Sequence, residues 1–436
     1  MDNAPVRYHL SSVNDVALGP AALAELPLTT ERALQALDPG DGPKLQALSD
    51  WLIVQGLGMP DPTELHASFC DRVAELGVPL LRGFVAVRTL HPRVDAVSYI
   101  WRRGLAPMRQ LLERSGTPEW QQSPFSFVLE NRLSVWRYRF DEKAPVQFPI
   151  LDEFRAAGAT DYFIKLVAFQ IGTSTEPSGM LTSWLTDRPG GFSQRDFAIL
   201  IRLLPRYALA AKALLARQIA VNVLDTYVGH DAGQRILAGE IKRDHLDTLN
   251  AVIVYPDLRD FTEVSDRTPN DKIAPMLDAY FEVMVNPVVA NGGQVLKFMG
   301  DGCLMIFRLN GADRAEVCAH ALNAVAEMRT RTRQLNAKRR AAGEEIMELD
   351  IALHLGDVLY GNVGAADRLD FTVVGPAVNE ASRIEPLCKR LGRTVLVSET
   401  FARAATNCAH RLESVGRHEL RGVREPQELF ALREDA

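Results

Sequence analysis

Two aspartates in the C-terminal half of the chain stand where short apolar segments end. Asp257 follows the apolar run AVIVY and Pro256, and Asp301 lies between two glycines in the turn that joins QVLKFM to CLMIF. Hard cations such as Mg²⁺ take oxygen ligands and use one or two protein carboxylates together with substrate phosphates. A pair of aspartates on adjacent strands suits such an ion. Aspartates are also common at turns because their side chains bond to the local backbone, so the residues alone leave both readings open.

The segments around these aspartates alternate between strand and helix patterns. Strand patterns are AVIVY, QVLKFM, CLMIF, LDIALHL and FTVV, and helical patterns cover DKIAPMLDAYFEVMVNPVVANGG, about 312–341 and a segment from about Pro376. The stretch LGDVLYGNVGAADRLD is rich in turn residues and predicts a loop. Pro287 predicts a bend in the first of these helices. The alternation predicts an α+β domain whose helices pack on one face of a sheet.

Three sequence blocks in this half, YPDLRDFT, LKFMGDG and FTVVGPAVNEASRIE, resemble in order and separation the signature blocks of class III nucleotidyl cyclases. The resemblance covers about 250–434 and implies a ferredoxin-like α+β catalytic domain over 249–436. It also implies a head-to-tail homodimer with active sites at the interface. The implied reaction is cyclisation of a nucleoside triphosphate to the 3′,5′-cyclic monophosphate with release of pyrophosphate.

By this resemblance, Asp257 and Asp301 bind two divalent ions, Mg²⁺ or Mn²⁺, with the carbonyl of Leu258 as a backbone ligand. In-line displacement at phosphorus needs charge stabilised on both the attacking and the leaving oxygen, which two ions supply. Asn379 and Arg383 match the pair that orients the ribose and stabilises the transition-state phosphate. Because they are four residues apart on one predicted helix, they share a face.

Lys297 and Thr372 match the two base-reading positions, and Arg421 in ELRGV matches a basic residue that touches terminal phosphates. A lysine ammonium can donate to an adenine ring acceptor, and a threonine hydroxyl can accept from the exocyclic amine. Family members that use GTP typically carry Glu and Cys at these positions, so the resemblance implies ATP as substrate. Thr372 in place of the commoner Asp is similar to the subgroup that includes bicarbonate-responsive cyclases.

The resemblance also divides each active site between two protomers. One protomer supplies the metal-binding aspartates, and its mate supplies the residues that read base, ribose and phosphate. Departures from the family pattern are Pro256, Asp260 where Gly is commoner, and Asp357 where some members carry a phosphate-binding Arg. Two alternatives stay open: a catalytically inactive cyclase-like module that binds nucleotide or dimerises, and a guanylate cyclase.

The first half of the chain predicts a separate α+β module. Residues 1–43 form a loosely ordered lead-in, and residues 44–215 combine a helical repeat, four strand patterns and a long exit helix that Ser193 could cap and Pro205 would kink or break. This architecture is similar to a GAF-type sensor domain with an unidentified small-molecule or protein effector. The alternative is an α+β domain that only dimerises. Residues 216–248 predict a charged helical connector interrupted at Gly229 and Gly233.

Composition excludes several classes of protein. The 436 residues are 47% hydrophobic and 24% charged with a net charge of −6, which excludes a largely disordered chain and gives no sign of nucleic-acid binding. The five cysteines lack C-x-x-C spacing, which argues against a zinc site or a disulfide framework. The N-terminus lacks a signal-peptide pattern, and no stretch approaches ~18 uninterrupted apolar residues. We therefore expect a cytoplasmic protein without a membrane span.

Overall fold

The computed structural model describes residues 35–58, 61–90, 94–113, 117–140, 148–169, 178–243, 245–309 and 311–433. The chain forms two compact units, Met1–Val223 and Leu224–Ala436. Most of the lead-in predicted over residues 1–43 lies outside the described residues. The predicted connector, residues 216–248, spans the division between the two units.

The first unit is built on a six-stranded antiparallel sheet of strand order β3-β2-β1-β6-β5-β4. Its strands are β1 Arg82–Arg88, β2 Val94–Arg102, β3 Met108–Glu113, β4 Val135–Arg139, β5 Asp161–Phe169 and β6 Ser178–Thr186. Its helices are α1 Asp41–Gly58, α2 Pro62–Glu75, α3 Pro118–Gln121, α4 Pro124–Glu130, α5 Pro149–Ala156 and α6 Gln194–Val228. The four predicted strands are present as β1, β2, β4 and β5, whereas α1, β3, β6 and the short helices α3–α5 were not predicted.

The long helix α6 begins after Ser193, as the sequence indicated, but it is not broken at Pro205. The backbone N–H of Asp196 donates to the Ser193 hydroxyl at 3.2 Å, which caps the first turn. Pro205 lies inside the continuous helix and does not end it. A second helix of the connector, α7 His230–Leu237, follows directly. The helical path is interrupted at Gly229, which has a φ of +86°, whereas Gly233 lies within α7, so the second predicted interruption is wrong.

The second unit contains an eight-stranded sheet of strand order β13-β14-β12-β10-β7-β9-β8, with β11 paired to β10. Its strands are β7 Leu246–Leu258, β8 Gln294–Met299, β9 Gly302–Arg308, β10 Leu349–Ala365, β11 Arg368–Val374, β12 Val395–Ser398, β13 Leu412–His418 and β14 Gln427–Leu432. Its helices are α8 Phe261–Arg267, α9 Asn270–Ala290, α10 Arg314–Ala341, α11 Pro376–Ile384, α12 Leu387–Leu391 and α13 Glu399–Ala404. The strand order β10-β7-β9-β8, with α9 and α10 as connections, is the ferredoxin-like arrangement expected from the sequence.

Both faces of this sheet are covered, so the prediction that helices pack on one face is wrong. Val252 and Val254 of β7 face one core, which α9 and α10 complete. Ala251 and Ile253 face a second core, which includes residues of α7 and α11. A strand buried on both faces reads as a continuous apolar run rather than an alternating one, which is why AVIVY has no polar residue.

The predicted loop LGDVLYGNVGAADRLD is instead the long second half of β10 and the start of its hairpin with β11. A Cβ at Gly361 would lie 2.1 Å from the carbonyl oxygen of His245. This glycine therefore permits close approach between strands, as glycines within strands often do, and does not mark a turn.

Among the described residues, one helix is long and apolar enough to cross a membrane by length and composition: α9, Asn270–Ala290. The search for uninterrupted apolar runs in the sequence did not identify this helix. One face of the helix packs into the domain core through Met276, Tyr280, Met284 and Val288. Pro287 lies within the helix and does not end it.

Candidate active site

The structure brings Asp257 and the Asp301 turn together. Asp257 is the second-to-last residue of β7, and Asp301 lies in the turn between β8 and β9. A Cβ at Gly302 would lie 2.5 Å from Oδ1 of Asp257 and 2.9 Å from the carbonyl oxygen of Pro256. The Asp257 carboxylate therefore rests against the backbone of the residue that follows Asp301.

This part of the domain carries more negative than positive charge. Burial, with the carboxylates of Asp301 and Asp350 adding to it, raises the pKa of Asp257 to about 6. Burial also raises the pKa of Asp301 above its ordinary value. Burial and the carboxylates of Asp257, Asp350 and Asp301 raise the pKa of Glu385 to about 8. These carboxyl groups resist ionisation because burial, and for Asp257 and Glu385 also the neighbouring negative charges, disfavour the charged form. A bound divalent cation would stabilise their charged forms.

The donor set fits a hard cation that retains other ligands. Within the described ranges, no three His, Cys, Asp or Glu side chains are grouped closely enough to hold a metal ion by themselves. Two carboxylates, a backbone carbonyl and substrate phosphates are, however, a usual set for Mg²⁺. Asp257, Asp301 and the carbonyl of Leu258 could hold such an ion; their role stays a prediction.

The carbonyl of Leu258 faces the correct side of β7 for this role. The N–H of Arg259 donates to the carbonyl oxygen of Glu348 at 2.9 Å and so points toward β10. Backbone polar groups of successive strand residues point to opposite edges. The carbonyl of Leu258 therefore points away from β10, toward the edge of β7 on which β9 and the Asp301 turn lie.

Lys297 and Thr372 lie on β8 and β11, which contact each other. The ammonium of Lys297 donates to Oδ2 of Asp370 at 3.1 Å. The Thr372 side chain is buried, and its hydroxyl has no hydrogen-bond partner among the described residues. A buried hydroxyl without a partner is costly, so this position suits a ligand that supplies one. Asp370 was not predicted; it shares a strand face with Thr372 because the two residues lie two positions apart on β11.

Asn379 and Arg383 occupy α11, and Asn379 is exposed. Arg383 forms no ion pair with any residue that the structure describes. Its nearest carboxylate on the helix, Glu380, instead has Oε1 3.5 Å from Nδ1 of His354. The guanidinium of Arg383 lies beside Gly422, 3.6 Å from where a Cβ would stand, and exposed Arg421 is the adjacent residue. The loop that carries Arg421 thus passes beside Arg383, whose positive charge offsets part of the rise that burial causes in the pKa of Glu380.

The predicted residues fall into three local groups. These are the aspartate pair with Leu258, the pair Lys297 and Thr372, and the arginine pair with Asn379. Across the ranges that the structure covers, no hydrogen bond or ion pair joins one group to another. Asp357, where some family members carry Arg, accepts from Asn250 at 2.7 Å.

The sequence reasoning missed Arg259, Asp350 and Glu385 beside the aspartates. Arg259 lies within the first signature block, so its position offered a signal. Asp350 is the cross-strand partner of Asp257 in the β7–β10 ladder, a register that the sequence does not display.

A family model for the adenylate and guanylate cyclase catalytic domain matches residues 245–434. Residues 245–434 are a class III adenylate/guanylate cyclase catalytic domain. Cyclase domains of this class bind nucleotide, act as dimers and generally depend on divalent metal ions.

Known relatives resemble this cyclase domain at moderate identity. Adenylate cyclase 1 of Rhizobium meliloti is 31% identical over 145 residues, which are 33% of this chain and 22% of that protein. Adenylate cyclase of Anabaena cylindrica is 32% identical over 156 residues, 36% of this chain and 31% of that protein. The crystal structure of the guanylyl cyclase Cya2 is similar at 27% identity and a TM-score of 0.38, covering 43% of this chain and 93% of that one. The chain thus spans less than a third of the length of these two curated relatives.

Replacing Gly302 by alanine is expected to lower the activity of the cyclase domain about 100-fold, because the added methyl displaces the Asp257 carboxylate and a shift of about 1 Å can cost that much. The initial rate of cyclic nucleotide formation measures the loss. Gly42→Ala is the control, since a Cβ there meets nothing within 4 Å. Activity equal to wild type in a folded Gly302→Ala variant would show that Asp257 has room to move.

The concentration of divalent metal ion that the cyclase domain needs is expected to fall as pH rises from 5.5 to 7.5. Asp257 must lose its proton to bind a cation, and its pKa is about 6.

The same raised pKa makes the stability of the metal-free fold change in the unfavourable direction as pH rises. The folded chain binds more protons than the unfolded chain between the ordinary and the raised pKa, so the contribution of Asp257 to the free energy of unfolding falls as pH rises through 6.

Thermal unfolding with and without Mn²⁺ measures both effects. Added Mn²⁺ should raise the melting temperature more at pH 7.5 than at pH 5.5. Asp257→Asn should remove most of this pH dependence. An equal increase at both pH values in the wild type would contradict the prediction.

Proposed function

We propose that this protein is an adenylate cyclase that converts ATP to 3′,5′-cyclic AMP and pyrophosphate at two equivalent sites of a homodimer. The match of the C-terminal domain to the family supports the reaction class. The choice of ATP is supported by Lys297, whose ammonium can only donate, together with the buried and unpartnered hydroxyl of Thr372 on the neighbouring strand. The base would supply the hydrogen bond that this hydroxyl lacks.

The base-reading pair favours adenine by its donor pattern. The ammonium of Lys297 donates to a ring nitrogen of adenine, and the hydroxyl of Thr372 accepts from the exocyclic amine. Guanine offers a ring N–H and a carbonyl at those places, which reverses the pattern. Asp370 holds the lysine from one side at 3.1 Å and so limits its orientations.

The phosphate-reading group works through charge and geometry. Arg383 donates several hydrogen bonds to phosphate oxygens from a planar fork that keeps its charge, and Asn379 orients the ribose. Arg421 extends the positive charge toward the terminal phosphates. When bound by Asp257 and Asp301 of the partner protomer, a pair of Mg²⁺ or Mn²⁺ ions supplies charge stabilisation at the attacking and leaving oxygens.

The division of the site between protomers is part of the proposal. The three groups of residues are not linked to one another by hydrogen bonds or ion pairs within the described protomer. A C₂ dimer would place the aspartate pair of one protomer against the base- and phosphate-reading groups of the other, twice.

The N-terminal unit is proposed to be a GAF-like sensor that regulates the catalytic domain through α6 and α7, in a cytoplasmic protein. Contacts of α7 within the second unit support this route: Asp231 accepts hydrogen bonds from Arg308 at 3.2 Å and from Tyr360 at 2.8 Å. An effector changes activity only if it binds one arrangement of the dimer better than another. Thr372 further suggests activation by bicarbonate, and an unchanged rate on adding bicarbonate at fixed pH would exclude it.

The deciding experiment uses the purified full-length protein with ATP or GTP and either Mn²⁺ or Mg²⁺. Cyclic AMP should form, with a higher kcat/KM for ATP than for GTP. A higher kcat/KM for GTP would identify a guanylate cyclase. Formation of neither product, by a folded protein that still binds nucleotide, would identify an inactive binding module.

A further inference from the structure

We infer that Arg259, anchored by Asp350, is a positioning residue that fixes the metal-binding end of β7. The inference rests on the proposed function, because it concerns how the carboxylate of Asp257 and the carbonyl of Leu258 are presented to a divalent ion.

Arg259 is held at several points by other elements of the domain. Its N–H donates to the carbonyl oxygen of Glu348, and its Nε donates to Oδ2 of Asp350, each at 2.9 Å. Its Nη2 bonds to Oδ1 of Asp350 and to the carbonyl oxygen of Arg393, the latter at 2.9 Å. The side chains are 21% and 3% exposed in Arg259 and Asp350. Such a buried, two-pronged contact fixes direction as well as charge.

The position of this anchor in the chain gives it leverage over the site. Asp257 and Leu258 are the two residues immediately before Arg259, and Asp350 lies opposite Asp257 in the strand register. If the backbone at Arg259 rotated, the carbonyl of Leu258 would turn away from the Asp301 turn. The anchor therefore acts on both expected ligands of β7 without touching an ion.

The next residue shows that this turn needs to be held. Asp260 has a left-handed φ of +61°, and among the non-glycine residues described only Arg132 shares this feature. Such backbone persists where the surrounding structure enforces it. Lys389 of α12 forms an ion pair with the Asp260 carboxylate, so the turn is fixed from two sides.

Arg259→Lys separates positioning from charge. Lysine keeps the positive charge beside Asp350 but cannot reproduce the planar fork or the additional bond to the carbonyl of Arg393. Arg267→Lys is the matched control, because Arg267 makes the same two-pronged contact with Glu345, at 3.0 and 3.1 Å, in an exposed position.

The measurement is the affinity of the full-length protein for Mn²⁺ in the presence of saturating 2′,3′-dideoxy-ATP, which lacks the hydroxyl needed for cyclisation. Free Mn²⁺ is followed by electron paramagnetic resonance. Arg259→Lys should weaken Mn²⁺ binding about tenfold, the lower range for partners that orient metal ligands. Arg267→Lys should bind as the wild type does. With ATP, kcat at saturating Mn²⁺ should also fall in Arg259→Lys.

Wild-type Mn²⁺ affinity in a folded Arg259→Lys variant would overturn the inference. A loss of Mn²⁺ affinity in Arg259→Met but not in Arg259→Lys would also overturn it, because the positive charge alone would then be enough to maintain the site. If Arg259→Lys does not fold, Asp350→Glu provides the same test from the other side of the contact, because it keeps the negative charge but displaces the carboxylate. A wild-type protein that forms no cyclic nucleotide and binds no Mn²⁺ would instead refute the proposed function. An active wild type with an unaffected Arg259→Lys variant would refute only the positioning role.

Discussion

An equimolar mixture of Asp257→Ala and Lys297→Ala protomers is expected to recover cyclase activity that neither variant has alone. Each variant should lose about 1,000-fold or more in kcat, because charge stabilisation at the phosphates or base recognition is missing from both of its sites. A mixed dimer has one site with both defects and one site with none. If protomers exchange freely, half of the dimers are mixed, so activity should reach roughly a quarter of the wild-type value.

A second mixture serves as the control for this result. Asp257→Ala combined with Asp301→Ala should stay inactive, because the two substitutions affect the same group of residues and every site in the mixed dimer lacks one aspartate. Both single variants must be folded and dimeric, as checked by light scattering. Absence of recovery in the first mixture would refute the division of each site between protomers.

Arg383→Met is expected to lower kcat about 1,000-fold while the KM for ATP changes little. Cationic side chains that meet the transition-state phosphate contribute about that much in phosphoryl transfer. Because Arg383 has no ion pair among the described residues, its removal breaks no contact between charged groups of the fold. The melting temperature should therefore stay close to that of the wild type.

Two further variants define what the arginine does. Arg383→Lys should recover only part of the activity, because a point charge cannot form two parallel hydrogen bonds to a phosphate. Arg390→Met is the control variant. Arg390 is exposed and lies in α12, the helix that follows α11, so this variant should keep wild-type kcat. A rise in KM without loss of kcat in Arg383→Met would assign Arg383 to ground-state binding of the nucleotide.

The features of the catalytic domain that depend on local sequence were predictable. AVIVY, the Gly-Asp-Gly turn and the helix after Pro376 each combine apolar periodicity with a clear turn or cap residue, and each forms the predicted element. The alternation of these elements predicted only an α+β domain, and the ferredoxin-like strand order was implied by the resemblance to class III cyclases. Glycines misled the prediction where they lie inside strands or helices, as at Gly361 and Gly233, because close packing there requires the absence of a side chain.

The surroundings of the site could not be predicted because they depend on long-range pairing. Asp350 lies opposite Asp257 only through the register of β7 with β10, and Glu385 reaches the same carboxylates from the end of α11. Covering of the second sheet face by α7 likewise depends on long-range packing after the helical path is interrupted at Gly229.

In the first unit, the buried leucines of α1, Leu45, Leu48 and Leu52, follow a helical repeat. The helix was missed because exposed apolar residues such as Ile53 and Val54 obscure that repeat in the sequence.

The segment that follows α11 touches the metal-binding turn of its own protomer, through Lys389 to Asp260 and through the carbonyl of Arg393 to Arg259. In a dimer with shared sites, α11 serves one catalytic centre while that turn serves the other. Filling one centre would thus alter the second through a few residues of a single polypeptide. The dependence of rate on ATP concentration should then be cooperative, with a Hill coefficient different from one.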